Sequence, residues 1–282
     1  MYYLLRGMSW CLGSLSISAL ERFANMLTVL CFDILRLRRR VVLNNLNVAF
    51  GHQKSSDEII YLGRKSVYNF IMTFFEFLRS EYDDISKDIE IVGRQNIQDA
   101  LDKGKGVYLL CFHLGNWEAM CSKMSRSIVK SHVLVKKVGS DSVDKYVTDL
   151  RTTNQFHPVA RKKKGDGVKA IREILSRNHV VGFVIDQARP GEPRLPFFGK
   201  PAQTNTSFAA ILQRVPAPII PGYIRRVSPG KHILEFLPEM ELEKSASRSE
   251  DITKHSTQFN ELVESVVRQY PEHYFWMHNR WK

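Results

Sequence analysis

The chain has 282 residues, 44% of them hydrophobic, which is enough for one large α/β domain with an appendage and too apolar for a disordered chain. Its formal net charge of +12 and pI near 9.6 imply an anionic partner: nucleic acid, an anionic membrane surface, an acidic carrier protein or a phosphorylated substrate. The four cysteines, Cys11, Cys31, Cys111 and Cys121, show no Cys-x-x-Cys spacing, which argues against a zinc or dithiol centre and fits a reducing cytoplasm.

In chain order, Gly7 to Leu20 and Phe23 to Phe32 are two mostly apolar stretches, separated by Glu21-Arg22 and followed by Arg36, Arg38, Arg39 and Arg40. Apolar side chains entering lipid beside arginines that meet phosphates make a membrane-docking module, each basic residue adding about 1 kcal/mol near an anionic leaflet. An amphipathic hairpin capping the domain, or a single tilted span, shares the pattern. Arg6, Glu21, Arg22 and Asp33 interrupt any ordinary membrane-spanning run, and we expect no cleaved leader. Beyond a break at Gly51, Ser55 and Glu58 form a capping box for a long helix. On it Val67, Phe70, Ile71, Phe74, Phe75 and Leu78 recur at helical spacing, a stripe to be buried against protein or lipid.

From about Asp88 the pattern alternates. Val107 to Phe112, Val133 to Val135, Val180 to Ile185 and Ile219 to Ile224 read as strands; Trp117 to Val129, Ser142 to Thr153, Gly167 to Arg177 and Thr204 to Arg214 read as helices between them. This predicts an α/β fold, a largely parallel sheet flanked by helices. His232 to Leu237 is read as an edge strand, Glu239 to Asp251 as a surface loop, and Ile252 to Tyr270 as a last helix ended by Pro271. We expect an N-terminal helical, membrane-associated region over 1–86 and the α/β domain over 87–282.

The centre of the chain is Val107 to Glu118, V-Y-L-L-C-F-H-L-G-N-W-E. A buried strand passes through a turn at Gly115 and a helix cap at Asn116 into a helix, so His113 emerges at the carboxyl end of a strand, where open sheets bind ligands. On one continuous helix the side chains of His113 and Glu118 would point about 140° apart. With His113 in the turn and Glu118 in the first helical turns, the carboxylate can accept from one imidazole nitrogen while the other faces a substrate, as a general base requires.

Three blocks follow: Asp186-Gln187, Pro196-Phe197-Phe198-Gly199, and Trp276-x-His278-x-Arg280-Trp281. In this order and approximate spacing, with His113-x-x-x-x-Glu118, they resemble the late acyltransferases of bacterial lipid A synthesis, over nearly the whole chain and with a glycerolipid-acyltransferase-like fold. The resemblance implies that His113 deprotonates an acceptor hydroxyl, which attacks the thioester of an acyl-carrier-protein donor, while Glu118 orients and charge-stabilises His113. It implies Arg151 as an oxyanion stabiliser, held in a salt bridge by Asp186. Arg189 and Arg194, in the loop Ala188 to Pro196, would hold substrate phosphates, with Asn116 and Arg280 as further substrate contacts. The implied partners are acyl-carrier protein, a Kdo-bearing lipid A precursor and the anionic cytoplasmic face of the bacterial inner membrane, with no cofactor beyond the carrier thioester, no metal and no nucleic acid. On this reading His113→Ala or Glu118→Ala removes most transfer and leaves the fold intact.

The chain departs from the family at Lys136-Lys137, where an arginine and a proline are more usual, and at Phe208, near a position where relatives commonly carry glycine. The first, with the basic run Arg161 to Lys164, is a candidate surface for the acidic carrier; the second bears on packing and acyl-chain length. Cys111 is a rival nucleophile, because residues i and i+2 on a strand share a face. No Gly-x-Ser-x-Gly or His-Glu-x-x-His occurs. Alternative readings are transfer to another lipid acceptor (a lysophospholipid, an amino-acid lipid or a phosphoinositide mannoside) and a nonenzymatic basic membrane-binding protein. The closing block favours lipid A.

Overall fold

The structure, a computed structural model, describes residues 1–135, 137–160, 166–188, 191–245 and 247–281. Helices α1 (Tyr2–Ser14) and α2 (Ile17–Thr28) open the chain, α2 running into a π-helical turn at Val29–Ile34. α3 (Arg39–Phe50) and α4 (Ser56–Arg79) follow, and the capping box forms at Ser55 and Glu58, with the Ser55 N–H donating to the Glu58 carboxylate at 2.8 Å. Strands then alternate with helices: β1 (Ile89–Val92), α5 (Arg94–Asp102), β2 (Val107–Cys111), α6 (Trp117–Ser127), β3 (Ser131–Val135), α7 (Asp141–Thr153), β4 (His157–Ala160), α8 (Asp166–Ser176) and β5 (Val180–Val184). A hairpin of β6 (Arg194–Phe197) and β7 (Lys200–Gln203), then α9 (Ser207–Leu212), β8 (Ile219–Ser228), β9 (Lys231–Phe236) and α10 (Arg248–Gln269) follow.

The main sheet has the order β1-β9-β8-β2-β5-β3-β4, with every neighbouring pair parallel except β8 and β9. β2 is the middle strand and is buried along its whole length, as an uninterrupted apolar run requires. Tyr108, Leu110 and Phe112 pack into a core shared with α3, α4, α8, α9 and α10, while Val107, Leu109 and Cys111 face α5 and α6. Helices therefore cover both faces.

Two expectations change. His232 to Leu237 is not at the edge: β9 lies between β8 and β1, and the edges are β1 and β4, four-residue strands too short to carry a periodic signal. The apolar stripe of α4 is also narrower than read. Val67, Phe75 and Leu78 are buried, but Phe74 is 41% exposed.

α1 and α2 bury Leu12, Leu20 and Ala24 against α4 and α7 and turn Tyr3, Leu4, Trp10 and Met26 outward. The exposed apolar surface continues through Ile34, Leu35 and Leu37, beside exposed Arg36, Arg38 and Arg40. Among the described residues no helix is long and apolar enough to cross a membrane.

At the opposite end of the sheet from the carboxyl ends of the strands, three imidazoles stack. The ring of His132 lies 5.2 Å from that of His157 and 5.5 Å from that of His179, with His132 Nε2 3.3 Å from His179 Nδ1. Burial, then the mutual repulsion of protonated rings, pushes His132 down to about 4 from an ordinary 6.5, and burial also lowers His157 and His179. Each ring therefore binds a proton more readily in the unfolded chain. Stability should be full above the unfolded value and fall as the pH drops from 6.5 toward 4. Denaturation midpoints at pH 7 and pH 5 should differ less in His132→Gln than in the wild type; an equal loss in both would exclude the trio as the source.

Candidate active site

β2 ends at Cys111, and the chain crosses Phe112 to His113 before turning back. The turn needs Gly115: its φ is +61°, and a Cβ there would lie 2.0 Å from the carbonyl oxygen of Ile224. In the parallel pairing of β2 with β5, Cys111 sits opposite Val184, so two residues further on His113 faces Asp186. Asp186 holds it twice. The His113 backbone N–H donates to Oδ2 at 2.9 Å, and Nδ1 lies 2.7 Å from Oδ1. Burial tends to raise the Asp186 carboxyl, but His113 and the nearby Arg280 outweigh it and hold the pKa below the usual carboxylate range. The group is a buried anion that fixes one imidazole nitrogen as a donor.

Glu118, in the first turn of α6, faces away from this pair, toward α7. Arg151 clamps it fork to fork, Nε donating to Oε2 at 3.0 Å and Nη2 to Oε1 at 2.5 Å. Burial tends to lower the Arg151 pKa, but Glu118 raises it above its ordinary value. The guanidinium also lies 5.3 Å from the Phe156 ring centre. The expected pairing is therefore exchanged: Asp186 rather than Glu118 contacts the imidazole, and Glu118 rather than Asp186 contacts Arg151. The reason is sheet order, since β5 adjoins β2 and delivers Asp186 directly opposite His113, whereas α6 points Glu118 at its helical neighbour.

His113, Glu118 and Arg151 line a cavity of about 390 Å³, within the usual range for small-ligand sites. Gln187 joins them, and Met120, Cys121, Val133, Phe156, Phe183 and Phe208, all buried, supply apolar wall. The His113 ring is boxed by aromatics: Trp117 meets it edge-on at 4.9 Å, Phe275 lies at 5.9 Å, and Phe70 packs on Phe275 at 5.1 Å. Sequence reasoning missed Phe70 and Phe275 as neighbours of the site. Phe70 does lie on the predicted stripe of α4, and Phe275 adjoins the closing block.

The whole chain, residues 1–282, matches the family described as bacterial lipid A biosynthesis acyltransferase. The chain belongs to that family. No curated protein matches closely enough to add a named relative.

The other residues singled out in this acyltransferase lie elsewhere. Arg280 is 2% exposed: it donates to the carbonyl of Asp186 at 3.1 Å and to Asn260 Oδ1 at 3.0 Å, and covers the Phe197 ring. It is a strut beneath Asp186 and is too deep to meet a phosphate. Asn116 is fully buried and caps α6, accepting the Ala119 N–H at 3.1 Å, so a substrate contact is replaced by a structural one. Arg194 is exposed at the start of β6 and is not part of the cavity wall. Arg189, Lys136 and the run Arg161 to Lys164 lie outside the described residues. Lys137 borders the cavity, paired with Asp141. Cys111 lines the cavity too, but burial pushes its thiol well up and Sγ donates to the Phe183 carbonyl, so it is not poised as a thiolate. Among the described residues no cluster of acidic, His and Cys side chains could hold a metal ion.

Proposed function

We propose that this acyltransferase moves a fatty acyl group from the thioester of acyl-carrier protein to a hydroxyl of a phosphorylated lipid A precursor, with His113 as general base. The observation that carries the reading is the imidazole itself: Nδ1 is held by a buried carboxylate, and the ring lines a largely apolar cavity. Nε2 would take the acceptor proton as the hydroxyl oxygen attacks the thioester carbon. The resulting oxyanion collapses, the carbon–sulfur bond breaks, and the carrier thiolate recovers the proton from Nε2. Asp186 holds the productive tautomer and stabilises the imidazolium. Arg151 has Nε and Nη2 on Glu118, and we assign Nη1 to the oxyanion. Transfer is direct and needs no further cofactor.

Mass spectrometry of a Kdo-bearing precursor incubated with mixed acyl-carrier-protein donors tests this. One added acyl mass is expected with wild type and none with His113→Ala. Acylation of a glycerophospholipid acceptor alone would reassign the substrate, and full activity of His113→Ala would remove the base.

The apolar wall is the natural seat of the acyl chain. Phe208, stacked on Phe183 at 4.6 Å, narrows it. Phe208→Ala should favour longer donors: each further buried methylene is worth about 0.8 kcal/mol, so two carbons should shift preference by roughly tenfold. Competition among saturated donors reads this directly, and an unchanged product length would place the chain elsewhere.

The outward face of α1 and α2, with Arg36, Arg38 and Arg40, fits docking on the anionic cytoplasmic leaflet of the inner membrane. Replacing the three arginines with serine should weaken sedimentation with phosphatidylglycerol vesicles by roughly 10²-fold at low salt, at about 1 kcal/mol each. Equal binding would exclude this face.

A further inference from the structure

α4 carries a second stripe, polar and buried. Ser66, Asn69, Thr73 and Glu76 recur at intervals of three and four residues and so lie along one face of the helix. Together they hold the two segments that meet at His113, three of them through a backbone carbonyl and Glu76 through a side-chain amide. Thr73 Oγ1 donates to the Gly115 carbonyl at 3.1 Å, and Glu76 Oε2 accepts from Asn116 Nδ2 at 2.7 Å. Asn69 Nδ2 donates to the Glu272 carbonyl at 3.0 Å, and Ser66 Oγ to the Tyr274 carbonyl at 2.7 Å. The segments also hold each other: the Gly115 N–H donates to the His273 carbonyl and the Phe275 N–H to the His113 carbonyl, both at 3.0 Å. His113 therefore emerges from a two-stranded bracket fastened to α4 at four points.

Glu76 is the one charged member of the stripe, 6% exposed. Its Oε1 takes the Arg226 guanidinium, with the Gly230 N–H at 3.3 Å, and His232 Nε2 lies 3.3 Å from Oε2. Arg226 in turn donates from Nε to Asn69 Oδ1 at 3.2 Å. Burial works to raise the Glu76 carboxyl, but Arg226 and His232 outweigh it and hold it at about 2. Oε2 is therefore an anionic acceptor throughout the working pH range. A buried ion pair gains little over apolar side chains of the same volume, and Phe75, Phe77 and Leu78 show that this part of α4 packs well with such side chains. Stability alone does not account for the charge. Its distinctive contact is the Asn116 amide: with Nδ2 anchored, Oδ1 is aimed at the Ala119 N–H, which fixes where α6 begins and where the His113 to Asn116 loop ends.

We propose that Glu76, backed by Arg226 and His232, is a positioning residue for acyl transfer, acting on His113 through Asn116 and the loop between them. The inference rests on the reading of His113 as the base. A misplacement of about 1 Å at a reacting group can cost roughly 10²-fold in rate, so a loosened bracket should appear in kcat before it appears in binding.

The test is steady-state kinetics and thermal midpoints for the full chain carrying Asn116→Ser, Thr73→Val, Glu76→Gln, and Glu76→Gln with Asn116→Ser, alongside His113→Ala. Serine caps a helix about as well as asparagine but is too short to reach Glu76, so Asn116→Ser separates the anchor from the cap. We expect kcat to fall roughly tenfold or more in Asn116→Ser and Glu76→Gln, with the donor KM within about twofold; the Asn116→Ser midpoint should fall modestly, because Glu76 Oε2 loses a buried donor, while the chain stays folded at assay temperature. The double variant should be no worse than the worse single, because both cut the same linkage. Wild-type kcat in Asn116→Ser and Thr73→Val beside an inactive His113→Ala would overturn the positioning role alone, as would additive losses in the double variant. An active His113→Ala would instead remove the base on which the role depends. Should Glu76→Gln fail to fold, Asn116→Ser and Thr73→Val still decide the matter.

Discussion

Asp186→Asn is expected to lower kcat by roughly 10³–10⁴-fold while leaving the fold and the donor KM close to wild type, the size of loss that follows when a base histidine is held in the wrong tautomer. One carboxylate oxygen accepts the His113 backbone N–H and the other faces Nδ1. An asparagine that keeps the first contact must present its Nδ2 to the ring. Nδ1 then becomes the acceptor, the proton moves to Nε2, and the nitrogen facing the cavity can no longer take a proton from a hydroxyl. The carboxylate is held below its ordinary pKa because His113 and Arg280 outweigh burial, so its charge is present throughout the range in which an imidazole titrates. Single-turnover rates of variant and wild type, measured where donor is saturating, decide it. A loss smaller than about tenfold would mean that Asp186 is a fastener of the loop and little more.

Glu118→Ala should behave differently, as a loss of stability as well as of rate. Arg151 is 14% exposed and Glu118 9%, so truncating the acid leaves a largely desolvated guanidinium without its counter-ion. Breaking such a pair costs about 3 kcal/mol, enough to lower the thermal midpoint by several degrees in a chain of this size. The exchange of partners revises the expectation that this substitution spares the fold. Replacing both residues with methionine should restore much of the lost stability, because the orphaned charge goes with its partner, but not the rate if Arg151 meets the oxyanion. Thermal denaturation of the single and double variants separates the two effects. A midpoint unchanged in Glu118→Ala would mean that solvent already reaches the pair.

What the sequence discloses follows from the range of each signal. β2 is legible because a run buried on both faces contains no polar residue, and α4 because its capping box and periodic apolar stripe agree. His113 is legible as the residue that leaves the end of a strand. The partner of His113 is not, because its choice depends on which strand lies beside β2. β3 follows β2 in the chain, but β5 lies next to it in the sheet, and no periodicity reports that order. Asn116 reads correctly as a cap and incorrectly as a substrate contact, since the second half of its amide is occupied by Glu76, forty positions earlier. The polar stripe Ser66, Asn69, Thr73 and Glu76 has helical spacing and could be read, yet the phenylalanines interleaved with it draw the eye to the other face. Arg280 shows the opposite failure. An arginine in a motif invites an anion, whereas its fork here carries the carbonyl of Asp186 and the amide of Asn260.

Phe208 stands on α9, a six-residue helix, and its ring packs on those of Phe183, Tyr108 and Phe259. The residues assigned to the reaction come from the loop after β2, the end of β5 and the face shared by α6 and α7. For an engineer these are two independent dials. A library confined to Phe208 can be screened for new products without re-optimising the proton-transfer machinery, because none of the hydrogen bonds described for His113 runs to α9.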